Sequence, residues 1–379
     1  MQLTLFSDKI KTVVPVTEGI KYTGSKLKLL PYILGLVKKL SPQTVFDGFS
    51  GSTRVSQALA QSGYRVIAND ISAYSYYIGN CYLKNTQTKK YYEEYFEYLN
   101  NLPGKDGWFT ENYGGEAVGG ITKCISSDGL KKPWQIHNTR KLDAIRDAID
   151  ELNIPFVEKT VLITALILAM DEVDSTLGHF AAYLNDWSPR SYKTMYLRCP
   201  NICINDNEHE VVQGDIFKSI EKISCDLAYL DPPYGSNNEK MPPSRVRYQA
   251  YYHLWTSICL NDKPDIFGKA KRRVDSSDTV SASVFEEFRR GVSGKFIVVE
   301  AIDKLIRSID ATYIILSYSS GGRATADELV DVLNSSGEII EIEKVDYKKN
   351  VMATMRWTND WIKETEEPNK EFLFLLKKN

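Results

Sequence analysis

Thr44-Val-Phe-Asp47 runs straight into Gly48-Phe-Ser-Gly51, and the fold class follows from that junction. The first four residues, with a β-branched residue and an aromatic one at their centre, read as a strand, and the glycines after them as a tight turn. From Thr53 to Ser62 the chain carries helix formers and stops at Gly63. Tyr64-Arg-Val-Ile-Ala68 is strand text again and ends at Asn69-Asp70. The result is one β-turn-α-β unit with an acidic residue at its second strand tip. In such units the glycines let backbone approach a ligand, and the acidic side chain accepts both hydroxyls of a ribose. An adenosine-bearing cofactor is implied. The spacing is not Gly-x-Gly-x-x-Gly, however, and a structural turn with a surface aspartate fits the same residues.

A second strand tip carries different chemistry. Asp226-Leu-Ala-Tyr-Leu230 reads as a buried strand, and Asp231-Pro232-Pro233-Tyr234 follows it directly. Two prolines hold their own φ near −65° and push the residue before each toward extended geometry, so the Asp231 and Pro232 carbonyls point in set directions. That arrangement suits a planar amino group, with Tyr234 stacking on the ring that carries it. Asp-Pro is also ordinary turn chemistry.

Between the two units the sheet pattern disappears after Asp70. Tyr-rich and charged helical text, a glycine-rich patch from Gly104 to Gly120 and an apolar helix near 159–173 replace it. Strand text returns at 210–215 and 226–230, then at 295–300, 312–317, 338–343 and 371–376, with a helix over Thr325 to Leu333. The last two strands are expected to form an antiparallel edge hairpin. The fold class is therefore α/β, a mostly parallel Rossmann-like sheet carrying an inserted, mainly helical module. Residues 1–80 and 210–379 are assigned to the sheet domain and 81–209 to the insertion.

Composition narrows the rest. The 379 residues carry 43% hydrophobic and 25% charged side chains, as an ordinary globular protein does. The longest apolar stretch, Val161 to Met170, is about half of what a membrane span needs. No export signal is evident at the N-terminus, so the expected location is the cytoplasm. Cysteines 81, 124, 199, 203, 225 and 259 lack paired spacing, which argues for free thiols. Cys199, Cys203 and His209 lack a fourth metal ligand, and no metal is expected. With a net charge of −2, affinity for nucleic acid must come from local basic segments. The candidates are Arg245 and Arg247, and Lys271, Arg272 and Arg273.

Taken in order, Lys21-Tyr-Thr-Gly-Ser-Lys26, Asp47 to Gly51, Asp70, the insertion, Gly214-Asp215 and Asp231 to Tyr234 resemble the adenine-specific DNA methyltransferases of the Dam-like class. The resemblance covers most of residues 20–235, and Ile314 to Ser319 looks like a later strand motif of that class. It implies S-adenosylmethionine as cofactor. It places Tyr22 and Lys26 against the methionine end, Asp47, Phe49 and Gly51 at the cofactor turn, Asp70 on the ribose, and Asp215 near the adenine ring. It makes Asp231, Pro232, Pro233 and Tyr234 the catalytic motif, with Asp231 also at the cofactor, and the insertion the target-recognition region. The implied reaction is transfer of a methyl group to the N6 amine of an adenine flipped out of duplex DNA, by a monomer that modifies sites for a separate restriction endonuclease. Similar motifs occur in enzymes that methylate RNA amines or a protein amide, and an inactive binding module is a further alternative. One departure stands out: the family's Phe-x-Gly-x-Gly turn is Phe49-Ser-Gly-Ser-Thr53 here. Threonine resists positive φ, so Thr53 is expected to cap the next helix instead.

Overall fold

The computed structural model of the protein describes residues 13–116, 122–126, 128–204, 207–234, 247–277, 283–347 and 369–379. Seven strands form one sheet: β1 (Thr44–Asp47), β2 (Arg65–Asp70), β3 (Glu210–Gln213), β4 (Ser224–Leu230), β5 (Asp310–Ser319), β6 (Gly337–Tyr347) and β7 (Asn369–Lys378). Their order is β3-β2-β1-β4-β5-β7-β6. The first five pair in parallel, and β7 runs antiparallel to both β5 and β6. The antiparallel pair expected at the edge is therefore present, with β7 between β5 and β6 and β6 outermost.

Chain order reverses between β1 and β4. In a doubly wound sheet that switch point opens a crevice at the strands' carboxyl ends. Asp47 pairs with Tyr229 across it, so Asp47 and the Asp231 motif leave adjacent strands side by side.

Alternation along each strand sends neighbours to opposite faces. Phe46, Leu230, Ile314 and Leu316 pack against helices α7 (Ile297–Ser308) and α8 (Ala326–Asn334). Val45, Val66, Leu227 and Leu375 pack against α1 (Leu30–Leu40) and α2 (Arg54–Gln61). Each fully buried Leu or Ile contributes about 1.5 to 3 kcal/mol.

Residues 295–300 are not a strand. Ile297 begins α7, which buries Val298, Ala301, Ile302, Leu305 and Ile306 at helical spacing. The run Phe-Ile-Val-Val has strand propensity, and the longer period of the packed stripe overrides it.

A third core is helical. It joins α4 (Ile136–Glu151) and α5 (Phe156–Glu172) to Tyr74 and Ile78 of α3 (Ala73–Gly79) and to Leu254, Trp255 and Ile258 of α6 (His253–Leu260). This core thus joins side chains from before residue 81 and after residue 209 to those between them. Among the described residues no helix is long and apolar enough to cross a membrane.

Candidate active site

The turn after β1 is built from backbone. Gly48 N–H donates to Tyr229 O at 3.0 Å, Ser50 N–H to Asn69 O at 2.9 Å, and Thr53 N–H to Ser50 O at 2.6 Å. Closing so tightly takes two left-handed residues, Gly51 at φ +50° and Thr53 at φ 60°. A Cβ on Gly51 would lie 3.1 Å from the Tyr22 ring, so the position excludes side chains twice over. Thr53 does adopt positive φ, contrary to expectation, and makes no side-chain cap. Its hydroxyl instead accepts from Gln57 Nε2 at 3.0 Å inside the protein. That buried bond offsets a left-handed penalty of roughly 1 to 2 kcal/mol.

Asp70 is fixed by the same turn, accepting Gly51 N–H at 2.9 Å and Ser72 N–H at 2.8 Å. These groups line a cavity of about 280 Å³ together with Tyr22, Lys26, Phe49, Asp215 and Asp231. Asp47 lies at its floor, accepting from Ser56 Oγ at 2.6 Å. Asp47 Oδ1 and Asn69 Oδ1 are buried with no partner among the described residues. Burial pushes the Asp47 carboxyl from 3.8 to about 7, with Asp231 and Asp70 adding to the rise and Ser56 opposing it. A cavity with a carboxylate at each strand tip and acceptors lacking donors suits a ligand rich in hydroxyls and positive charge.

At the other end Asp231 Oδ1 takes two donors, the Tyr234 hydroxyl at 2.7 Å and the Lys26 ammonium at 3.1 Å. Lys26 also donates to the Tyr234 hydroxyl. Glu371 of β7 completes the group, 3.8 Å from Lys26 and 3.3 Å from the Tyr234 hydroxyl. Burial holds the Asp231 carboxyl above the ordinary aspartate range, with Lys26 and Tyr234 pulling it down. Tyr234 rests on Tyr318, ring centroids 4.8 Å apart.

The model of the D12 class N6 adenine-specific DNA methyltransferases matches residues 22–302, which carry every element of this site except Glu371 and Tyr318. The chain belongs to that family. Its reaction is therefore N6 methylation of adenine in DNA. This methyltransferase is 27% identical to the type II methyltransferase M.NlaIII of Neisseria lactamica, over 87% of this chain and 92% of that protein. It is 24% identical to M2.HphI of Haemophilus parahaemolyticus over 96% and 98%. It is also 27% identical to the modification methylase StsI of Streptococcus sanguinis, over 87% of this chain but 48% of that larger protein.

The methyltransferase distributes its expected residues unevenly. Tyr22, Lys26, Asp47, Phe49, Gly51, Asp70, Asp215 and the whole Asp231–Tyr234 motif converge on one cavity. Lys26 turns its ammonium to Asp231 and Tyr234, and Asp215 spends one oxygen capping a short helix through Phe217 N–H at 3.0 Å. The basic candidates fare differently. Arg245 lies outside the described residues, and Arg247 is buried. Arg273 is only 4% exposed and grips Asp262 with two bonds of 2.7 Å, with Asp275 beside it. Its charge serves the fold, because a buried guanidinium needs both carboxylates. Lys271 reaches Asn112 at 3.2 Å, and Arg272 lies over the Phe267 ring. At the Cys199, Cys203 and His209 cluster, His209 Nδ1 accepts Val66 N–H at 3.1 Å, and no group of three metal-ligating side chains occurs among the described residues. Sequence reasoning missed Glu371, Asn69, and the aromatic wall of Tyr248 and Phe285. Glu371 had a signal: it is the one charged residue opening an apolar strand run, Glu371 to Leu376.

Proposed function

We propose that the cavity binds S-adenosylmethionine and that Asp231 to Tyr234 receives an adenine flipped from duplex DNA. The observation that carries the reading is the convergence of Asp47, Asp70 and Asp231 at adjacent strand ends around one cavity. Asp70, already oriented by two backbone amides, takes the ribose hydroxyls. Asp47 and Asn69 accept from the cationic methionine end, and Phe49 and Phe285, edge to face at 5.3 Å, bound the adenine side. When bound, this cofactor supplies an electrophilic methyl group whose carbon–sulfur bond breaks with its electrons left on sulfur.

The chain's own residues do the rest. Asp231 and the Pro232 carbonyl accept hydrogens from the adenine amine, which localises its lone pair toward the methyl group. Lys26 and Tyr234 hold the Asp231 carboxylate in one orientation. Alignment of the two reactants supplies about 7 to 11 kcal/mol when it is good. Stacking on Tyr234 is worth roughly 1 to 3 kcal/mol against a flipping cost of a few.

For the DNA itself, the segment 190–198 supports a contact surface better than the buried arginines do. Asn138 brackets it by accepting Met195 N–H at 2.8 Å and donating to Lys193 O at 2.9 Å. Asn100 does the same at Leu197, with bonds of 2.8 and 3.0 Å. So pinned, the segment turns Tyr192, Lys193, Tyr196 and Arg198 outward. Arg190 at its start shares Asp174 with Lys21, the neighbour of cavity-lining Tyr22. The names of the relatives support a role as the modification half of a restriction–modification pair.

Radiolabelled S-adenosylmethionine with duplex DNA, RNA and protein in parallel tests the proposal. Label is expected in adenine N6 of duplex DNA, at one recurring site when the methylated bases are sequenced. Label confined to RNA or protein would replace the substrate reading, and no label with cofactor bound would favour a binding module.

A further inference from the structure

Glu371 sits where neither the family motifs nor the adenine chemistry requires a carboxylate. It arrives from β7, the strand that runs against the rest of the sheet, and pairs with Ser319 at the carboxyl end of β5. Its carboxylate reaches the same two groups that hold Asp231: the Lys26 ammonium at 3.8 Å and the Tyr234 hydroxyl at 3.3 Å. All of these groups are largely withdrawn from water. Among the described residues one ammonium, that of Lys26, thus lies within ion-pair reach of two largely buried carboxylates.

We propose that Glu371 is a positioning residue of the reaction, holding Lys26 and Tyr234 for Asp231 and taking over the Lys26 ammonium when Asp231 receives the proton released by the adenine amine. The inference rests on the reading of Asp231 as the amine's acceptor. The amine nitrogen forms its bond to the methyl carbon with its lone pair and becomes cationic. It then loses one of its own protons to an Asp231 oxygen. Asp231 becomes neutral at that moment, and an ammonium beside a neutral acid in a buried site is left without a counter-charge. Glu371 supplies it within ion-pair reach, so Lys26 needs to move by about an ångström or less, from 3.8 Å toward a normal contact. Before the proton arrives, Lys26 favours Asp231 at 3.1 Å, which keeps Asp231 ionised and able to accept.

Glu371 is faced, among the described residues, from four elements. Lys26 comes from the segment before α1, Asp231 and Tyr234 from the loop after β4, Tyr229 from β4 and Ser319 from β5. Burial raises the Glu371 carboxyl, Lys26 opposes the rise and Asp231 adds to it, so the two carboxylates each make the other harder to ionise.

The test is a carbon-13 titration of the side-chain carboxyls in the cofactor-free protein, with Asp231 assigned from Asp231→Ala. In Glu371→Gln the Asp231 midpoint is expected to fall, because a neighbouring negative charge is gone and Lys26 belongs to Asp231 alone. The single-turnover rate should fall at least about tenfold, with its acid limb moving to lower pH. A merely structural role would slow the enzyme without moving the midpoint. An unchanged Asp231 midpoint in Glu371→Gln overturns the proposal at any rate. Should the glutamine variant not fold, Glu371→Asp is read instead. It keeps the charge but shortens the reach, so a lowered rate supports the proposal and a wild-type rate overturns it. Failure of the acceptor reading itself is seen separately, as methylation that survives Asp231→Ala.

Discussion

Replacing Asp47 by asparagine should make the empty enzyme more stable, and more so as pH rises. The carboxyl is buried and pushed from 3.8 to about 7, chiefly by loss of water. A raised carboxyl means that the folded chain keeps a proton the unfolded chain has already released. The stabilisation from that proton is whole below about pH 4 and is lost as pH rises through about 7. Across the full interval the loss is on the order of 4 kcal/mol, and between pH 5 and pH 8 about 2 to 3 kcal/mol. Asparagine has the same size and can accept the Ser56 hydroxyl now 2.6 Å from Asp47, yet it does not titrate. Urea unfolding at pH 5, 6, 7 and 8 without cofactor measures the difference. The variant should gain about 2 to 3 kcal/mol on the wild type over that range. Calorimetry at pH 6.5 in two buffers adds an independent reading, since cofactor binding should release a proton from the wild type and none from the variant. A stability difference that stays constant with pH would mean instead that Asp47 ionises normally in the fold.

Gly51→Ala forces a side chain into φ +50° and within 3.1 Å of the Tyr22 ring, so stability should drop by about 1 to 2 kcal/mol and cofactor affinity with it, read by melting and by titration. Lys26→Ala removes the ammonium shared by Asp231 and Glu371 and should cost about 3 to 5 kcal/mol. Both carboxyls then rise further, so the loss should grow as pH increases and the acid limb of turnover should move to higher pH. Arg273→Ala should destabilise the fold by about 1 to 3 kcal/mol while leaving the salt dependence of DNA binding unchanged. Lys193→Ala and Arg198→Ala should each lower that salt slope by about one with little change in melting.

The parts of this molecule that were legible beforehand are those written locally. β1 spans Thr44–Asp47 as read, the helix expected over Thr325 to Leu333 is α8 (Ala326–Asn334), and β4 delivers Asp231 at its end. Short-range chemistry sets these features, and the order of the motifs carries the rest of the site. What stayed hidden depends on distant neighbours. The run 295–300 has strand residues, but the stripe it shares with Leu305 and Ile306 makes it a helix. Arg273 looks like a phosphate contact in one dimension, and only the approach of Asp262 makes it a buried strut. Glu371 lies 140 residues beyond Asp231, and the position of β7 beside β5 brings them together.

The proposed mechanism turns on the Asp231 carboxylate accepting the target amine. Single-turnover methylation of an adenine-containing duplex by Asp231→Ala, with cofactor affinity measured on the same preparation, tests it most directly. The rate should fall by about a hundredfold or more while cofactor affinity stays within about threefold. Transfer by the alanine variant at a rate near that of the wild type would contradict the claim.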